Sequence, residues 1–209
     1  PLPAHNLRYT TPATVWDEAL PLGDGMMGSL VWGDGRPLRI SLDRADLWDA
    51  RLVPEYSGPD YKFKTMARWH REGRVADLLR VYDNPYERPA PTKIPAGRVE
   101  LAFPEGAQFR ETSLDLATAV ASMTFSNGAA AEIFVHATEP IGMARIKGGF
   151  PQVKLQAPPF SGAVKDPAKG AIAAGDLAQL GYPAPVATSG PGWSAYSQEG
   201  VGGFRFAVY

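Results

Sequence analysis

Carboxylates and tryptophans crowd one stretch near the start of the chain. Asp17, Glu18, Asp24, Asp43, Asp46 and Asp49 share it with Trp16, Trp32 and Trp48. Two carboxyl groups facing each other across a cleft, roughly 5 to 10 Å apart, can cleave a glycosidic bond. An indole face suits the C–H side of a sugar ring, so Trp16, Trp32, Trp48, Trp69 and Trp193 are candidate stacking partners. Trp32 lies in strand text and reads as core. Trp48 stands at a strand-to-loop boundary among polar residues and is the better ligand-facing candidate.

Other chemistries fit this stretch less well. Asp43, Asp46 and Asp49 recur at every third residue, but the run begins inside a strand and lacks the Asp-x-Asp-x-Asp-Gly order that wraps calcium. Turn and cap chemistry is the favoured reading, because an Asp side chain accepts backbone N–H bonds where strands end. Gly23-Asp24-Gly25-Met26-Met27-Gly28 has the spacing of a dinucleotide fingerprint. That motif must open a helix; here strand text follows, and Asp24 would set a negative charge beside a pyrophosphate. No Gly-x-Ser-x-Gly elbow is present, and His5, His70 and His136 are scattered, with His136 reading as a half-buried structural residue. No cofactor and no metal are expected.

The elements that must position these residues read as short strands. With 22 Gly and 20 Pro spread along 209 residues, turn formers punctuate the whole chain. Residues 28–33 and 38–42 alternate apolar and polar around Asp34-Gly35-Arg36-Pro37, a hairpin signal because Asp and Gly tolerate positive φ. Residues 119–125 and 131–136 flank a second hairpin at Ser126-Asn127-Gly128. Further strand text covers residues 98–103, 143–147, 194–197 and 204–209. Residues 60–82 carry the helical spacing Phe63, Met66, Ala67, His70 and Val75, Leu78, Leu79, Tyr82, with Gly73 between the two runs. Residues 148–192 read as a long connection with one helical turn near residues 176–180.

Composition narrows the function classes. The chain holds 21 basic and 22 acidic residues, which argues against a nucleic-acid partner. No stretch has the length of a membrane-spanning helix. The absence of cysteine removes disulfides, thiolate metal sites and cysteine nucleophiles, and suits a cytosolic protein and an exported bacterial one equally. The chain starts with Pro1, which reads as a processed or engineered start, and its last apolar strand meets no stop signal. It is taken as a fragment of a longer protein.

Several blocks also resemble a known family. Trp16-Asp-Glu-Ala-Leu-Pro-Leu-Gly-Asp-Gly-Met-Met-Gly-Ser-Leu-Val-Trp-Gly33 is similar to the N-terminal signature of glycoside hydrolase family 95, the α-L-fucosidase and α-L-galactosidase group. Ile40-Ser-Leu-Asp-Arg-Ala-Asp-Leu-Trp48 resembles that family's I-x-L-N-E-D-T-L-W. Arg110-Glu-Thr-Ser-Leu-Asp-Leu-Ala-Thr-Ala-Val-Ala-Ser122 and Ala131-Glu-Ile-Phe-Val-His-Ala-Thr-Glu139 follow in the family's order. Asp24 replaces the usual Asn, and Asp43-Arg44 replaces Asn-Glu, the marks of a divergent member.

The resemblance implies a mainly β fold, a β-supersandwich of two large antiparallel sheets with a short helical insertion near residues 60–82. Residues 1–209 would be a single N-terminal domain, followed by a helical linker and an (α/α)6 barrel that holds the catalytic acid and base. No catalytic residue is therefore expected in this chain. Loops 23–27 and 43–51 would reach toward the barrel's active-site mouth, offering Asp24, Met26, Trp48, Asp49 and Arg51 to substrate. The implied partners are the downstream catalytic barrel of the same chain and an oligosaccharide or polysaccharide, with no nucleic acid and no membrane span. An extracytoplasmic bacterial location, periplasmic or secreted, is expected. A self-standing carbohydrate-binding module and a structural or interaction β-sandwich domain are the alternatives.

Overall fold

The computed structural model describes residues 3–160, 177–201 and 203–209. In chain order its first elements are β1 (Leu7–Tyr9), β2 (Leu20–Gly23), β3 (Met27–Trp32), β4 (Leu38–Arg44), β5 (Trp48–Asp49), α1 (Phe63–Arg71) and α2 (Val75–Leu78). The chain continues with β6 (Thr92–Lys93), β7 (Arg98–Ala102), β8 (Phe109–Asp115), β9 (Val120–Phe125), β10 (Ala130–Val135), β11 (Gly142–Lys147) and β12 (Gln152–Gln156). Last come β13 (Val186–Gly190), β14 (Trp193–Glu199) and β15 (Arg205–Val208). Two five-stranded antiparallel sheets dominate, one in the order β1-β8-β9-β10-β11 and one in the order β12-β7-β4-β3-β2.

Two-residue alternation builds the layer between them. Along β4, Leu38 and Ile40 face inward, with Leu38 opposite Leu101 and Ile40 between Val31 and Val99. Along β9, Ala121, Met123 and Phe125 are buried, while Ser122 and Thr124 are only partly covered. Ala131 and Ile133 of β10 join these residues with Leu20, Leu22 and Leu114 in one apolar core. On the opposite face of the second sheet, the Trp32 indole N–H donates to Ser41 Oγ at 3.0 Å, and the Arg39 guanidinium lies 4.7 Å from the indole ring.

Both hairpins form where the turn residues place them. Asp34 Oδ1 accepts the Arg36 amide at 2.8 Å, and Asn127 Oδ1 accepts the Ala129 amide at 3.0 Å. Gly35 sits at φ +93 against the Phe125 ring, which a Cβ at that position would strike. The β3–β4 turn thus closes over one end of the core and needs glycine both for its dihedral and for its space.

The helical insertion has its own small core. Gly73, at φ +68, separates α1 from α2, and a π-type turn over Leu79–Asp83 completes the segment. Trp69 is buried and meets Tyr82 edge-on at 6.3 Å; Tyr82 stacks on Tyr61 at 5.2 Å, and Tyr61 meets Tyr56 in a tilted contact at 4.5 Å.

Residues 148–192 are more than a connection. They contain β12, an edge strand on β7, and β13, which joins β14 and β15 in a separate three-stranded sheet. Asp176, the start of the expected helical turn, lies outside the described residues. Residues 177–180 form a turn in which the Gly181 amide donates to Ala178 O at 2.9 Å. Leu177, Leu180 and Tyr182 then build a second core with Leu47, Ile94 and Ala96, covered by Phe204 and Phe206. Among the described residues no helix is long and apolar enough to cross a membrane.

Met123 has no exposed surface. Met123→Ala is expected to cost about 2–5 kcal/mol in urea unfolding, because the cavity collapses only partly. Val153 on the edge strand is 67% exposed, and Val153→Ala should stay within about 0.5 kcal/mol.

Candidate functional site

The β2–β3 hairpin and the segment after β4 lie side by side. The Ala45 amide donates to Met26 O at 2.7 Å, which joins loop 23–27 to loop 43–51. The two loops chosen from the sequence are thus brought together at one end of the second sheet. Beside them opens a groove of about 990 Å3, running from β3, β4 and β7 across to β10 and β11, with β15 along one side. Its floor is apolar, including Ile40, Leu42, Val99, Ile133 and Val135. Ser29 lines it with a buried hydroxyl that has no hydrogen-bond partner.

Polar groups gather along the groove as Asp43, Arg44, Asp46 and Arg205, next to the Trp48 indole. Trp48 is 51% exposed, and Lys93 Nζ lies 5.8 Å from its ring centroid. Lys93 in turn pairs with Asp43 at 2.7 Å and donates to the backbone oxygens of Arg44 and Leu47. Arg44 Nε donates to Asp46 Oδ1 at 2.8 Å. This leaves one broad aromatic face bordered by two ion pairs, Lys93–Asp43 and Arg44–Asp46. Such a surface can stack on an apolar ring face and offer hydrogen bonds around it.

The remaining sequence candidates hold the loops in place. Asp24 Oδ1 accepts the amides of Met27 at 2.7 Å and Met26 at 2.8 Å, and these bonds hold its carboxyl below the ordinary carboxylate value. Met26 is half exposed beside it, outside the groove lining. Asp49 is buried. It receives Arg51 Nε at 2.9 and 3.0 Å, Arg51 Nη2 at 2.5 Å, the Arg51 amide at 3.2 Å and the Tyr182 hydroxyl at 2.9 Å. Arg51 Nη2 also reaches Leu180 O at 2.7 Å. Asp49 and Arg51 thus face each other and the 177–182 turn, one residue along from Trp48. Tyr182 carries no sequence signal of this role, because it stands 133 positions along the chain from Asp49 and no local pattern links the two.

The electrostatics disfavour acid catalysis by these groups. Burial by itself pushes the Asp49 carboxyl up, but the Arg51 and Tyr182 hydrogen bonds reverse it and leave the group below its ordinary value. The Arg44 hydrogen bond does the same for Asp46. A glycosidase general acid needs the opposite displacement, so that it still holds a proton near neutral pH. Histidine offers no alternative centre. His136 is exposed at the end of β10 rather than half-buried, and its Nδ1 accepts the Glu139 amide at 3.1 Å. Trp32 and Trp69 are each 2% exposed, which leaves Trp16, Trp48 and Trp193 as the open indoles. Among the described residues no group of three or more His, Cys, Asp or Glu could hold a metal ion.

Residues 7–158 match the family model of the glycosyl hydrolase family 65 N-terminal domain. The match names family 65 and does not single out family 95, whose motifs the sequence resembles. No curated protein matches the chain.

The Asp49 cluster sets a stability prediction. Asp49→Ala leaves Arg51 and Tyr182 without their shared acceptor and is expected to cost about 1–3 kcal/mol, moderated because Arg51 is partly in water. A depressed carboxyl contributes stability above its unfolded pKa of about 3.9 and loses it as pH falls through the folded value. The stability difference between the native chain and Asp49→Asn should therefore hold steady from pH 7 to 5 and shrink below about pH 4, as read by urea melts.

Proposed function

The chain belongs to the glycosyl hydrolase family 65 N-terminal domain family, and on that premise we propose that it is the non-catalytic β-sandwich domain of a glycoside hydrolase. Its role is to support, and to help complete, the active site of a catalytic barrel in the same polypeptide. The family match over residues 7–158 carries the reading. The ionised, internally bonded state of Asp24, Asp46 and Asp49 supports it, because a domain that performed the hydrolysis would need a protonated carboxyl.

The finer reading places the parent among relatives of the family 95 α-L-fucosidases and α-L-galactosidases, on the ordered motif blocks at residues 16–33, 40–48, 110–122 and 131–139. Trp48 is the residue proposed to meet an oligosaccharide or polysaccharide at the groove. Asp24, Met26, Asp49 and Arg51 serve it by shaping the two loops. An extracytoplasmic bacterial location belongs to the same proposal and is read by cell fractionation.

The 209-residue chain alone should release no nitrophenol from p-nitrophenyl α-L-fucoside, α-L-galactoside or α-D-glucoside, whereas the complete parent should hydrolyse at least one of them. In that parent, Trp48→Ala should raise KM about tenfold and leave kcat within about twofold, the pattern of a lost ground-state contact. Turnover by the isolated chain that vanished in Asp46→Asn would overturn the proposal.

A further inference from the structure

A second, smaller cleft lies at the other end of the first sheet, between the β1–β8 edge and the β2–β3 hairpin. It encloses about 320 Å3 and is lined by Tyr9, Thr11, Glu18, Trp32 and Thr112 over an apolar floor that includes Val31. Its wall is the segment after β1, held by the Gly33 amide donating to Ala13 O at 3.0 Å and by the Thr14 amide donating to Glu18 Oε2 at 3.1 Å. The volume stands near the lower end for small-molecule sites, about 300 Å3, which suits one ring rather than a chain.

The polar groups here are unspent. Thr112 is 7% exposed overall, and among the described residues no hydrogen bond engages its hydroxyl or those of Tyr9 and Thr11; the Thr112 hydroxyl opens to the cleft rather than being sealed in the interior. Glu18 uses Oε2 for the Thr14 amide and keeps Oε1 to accept. A carboxylate that only accepts, set among hydroxyls that both donate and accept, matches a ligand bearing several hydroxyls. Among the described residues no cationic side chain lines the cleft, and the charge an anion would meet there is that of Glu18.

We propose that this cleft binds a single neutral hexopyranose unit, with Thr112 and Glu18 holding its hydroxyls. It is a site separate from the Trp48 groove. Binding here needs neither the catalytic barrel nor hydrolysis.

The test is titration of the 209-residue chain with D-galactose, L-fucose and D-glucose, followed by amide chemical shifts. At least one sugar should bind saturably with a Kd in roughly the millimolar range. Thr112→Val and Glu18→Gln should each weaken that binding tenfold or more without a change in melting temperature, while Trp48→Ala leaves it unaltered. Tyr9→Phe, at an exposed position, should weaken it too and replaces Thr112→Val if that variant fails to fold. The proposal is overturned if none of the three sugars binds saturably, if binding survives the cleft substitutions, or if Trp48→Ala abolishes it. None of these outcomes bears on hydrolysis by the parent, so failure here and failure of the functional reading are read separately.

Discussion

Strand β4 is paired on both sides, by β3 and by β7, and its residues pass through each environment in the domain in turn. Leu38 and Ile40 bury between the two large sheets. Leu42, two residues on, packs against both cores at once. Asp43 and Arg44 then emerge along the groove. A slip of one residue would turn Leu38 and Ile40 out to the face that now holds Arg39 and Ser41, so the register of β4 is fixed by burial over its first half. The groove therefore inherits its geometry from the core rather than from its own polar contacts, which a surface ion pair such as Arg44–Asp46 could not supply.

Where local chemistry dictates structure, the sequence is easy to read. Alternation in residues 38–42 and 119–125 follows directly from one face meeting the core, and Asp34-Gly35 and Asn127-Gly128 make their turns through their own side chains and dihedrals. Asp43 and Asp49 accept the Arg44 and Arg51 amides, as turn chemistry predicts, whereas Asp46 receives the Arg44 side chain instead. Strands β12 and β13 escaped notice because each sits at a sheet edge, where Val153 and Val186 remain exposed and no buried face imposes a pattern. The Asp49–Tyr182 bond was invisible for a different reason: it is a tertiary contact with no local cause.

The candidate site was legible only in part, and the part follows exposure. Trp48 stands among polar residues in the sequence and is open in the fold. Asp24, Asp49 and Arg51 looked equally available as residue types, yet each is engaged by its own loop. The distinction matters for chemistry. A carboxylate that accepts several donors from its own backbone is stabilised in its charged form and loses its value as a proton donor, while gaining value as a fastener. The acidic density of this stretch therefore argues for rigid loops, because each such carboxylate fastens neighbouring groups in place.

The two clefts divide along the same lines. The larger groove draws on the β10–β11 end of the first sheet together with β4, β5 and β15, and its lining is mainly apolar with charges paired off at the side. The smaller one draws on the β1–β8 end of that sheet, and its hydroxyls are unspent. A groove with so apolar a floor gains from covering by another surface, since burial removes apolar area from water. A cleft lined by open hydroxyls gains little from an apolar cover, which would strand them away from water, and more from a ligand that donates and accepts. The two clefts thus lie at different edges of one sandwich and share no lining residue among those described, so a substitution at either edge need not disturb the other.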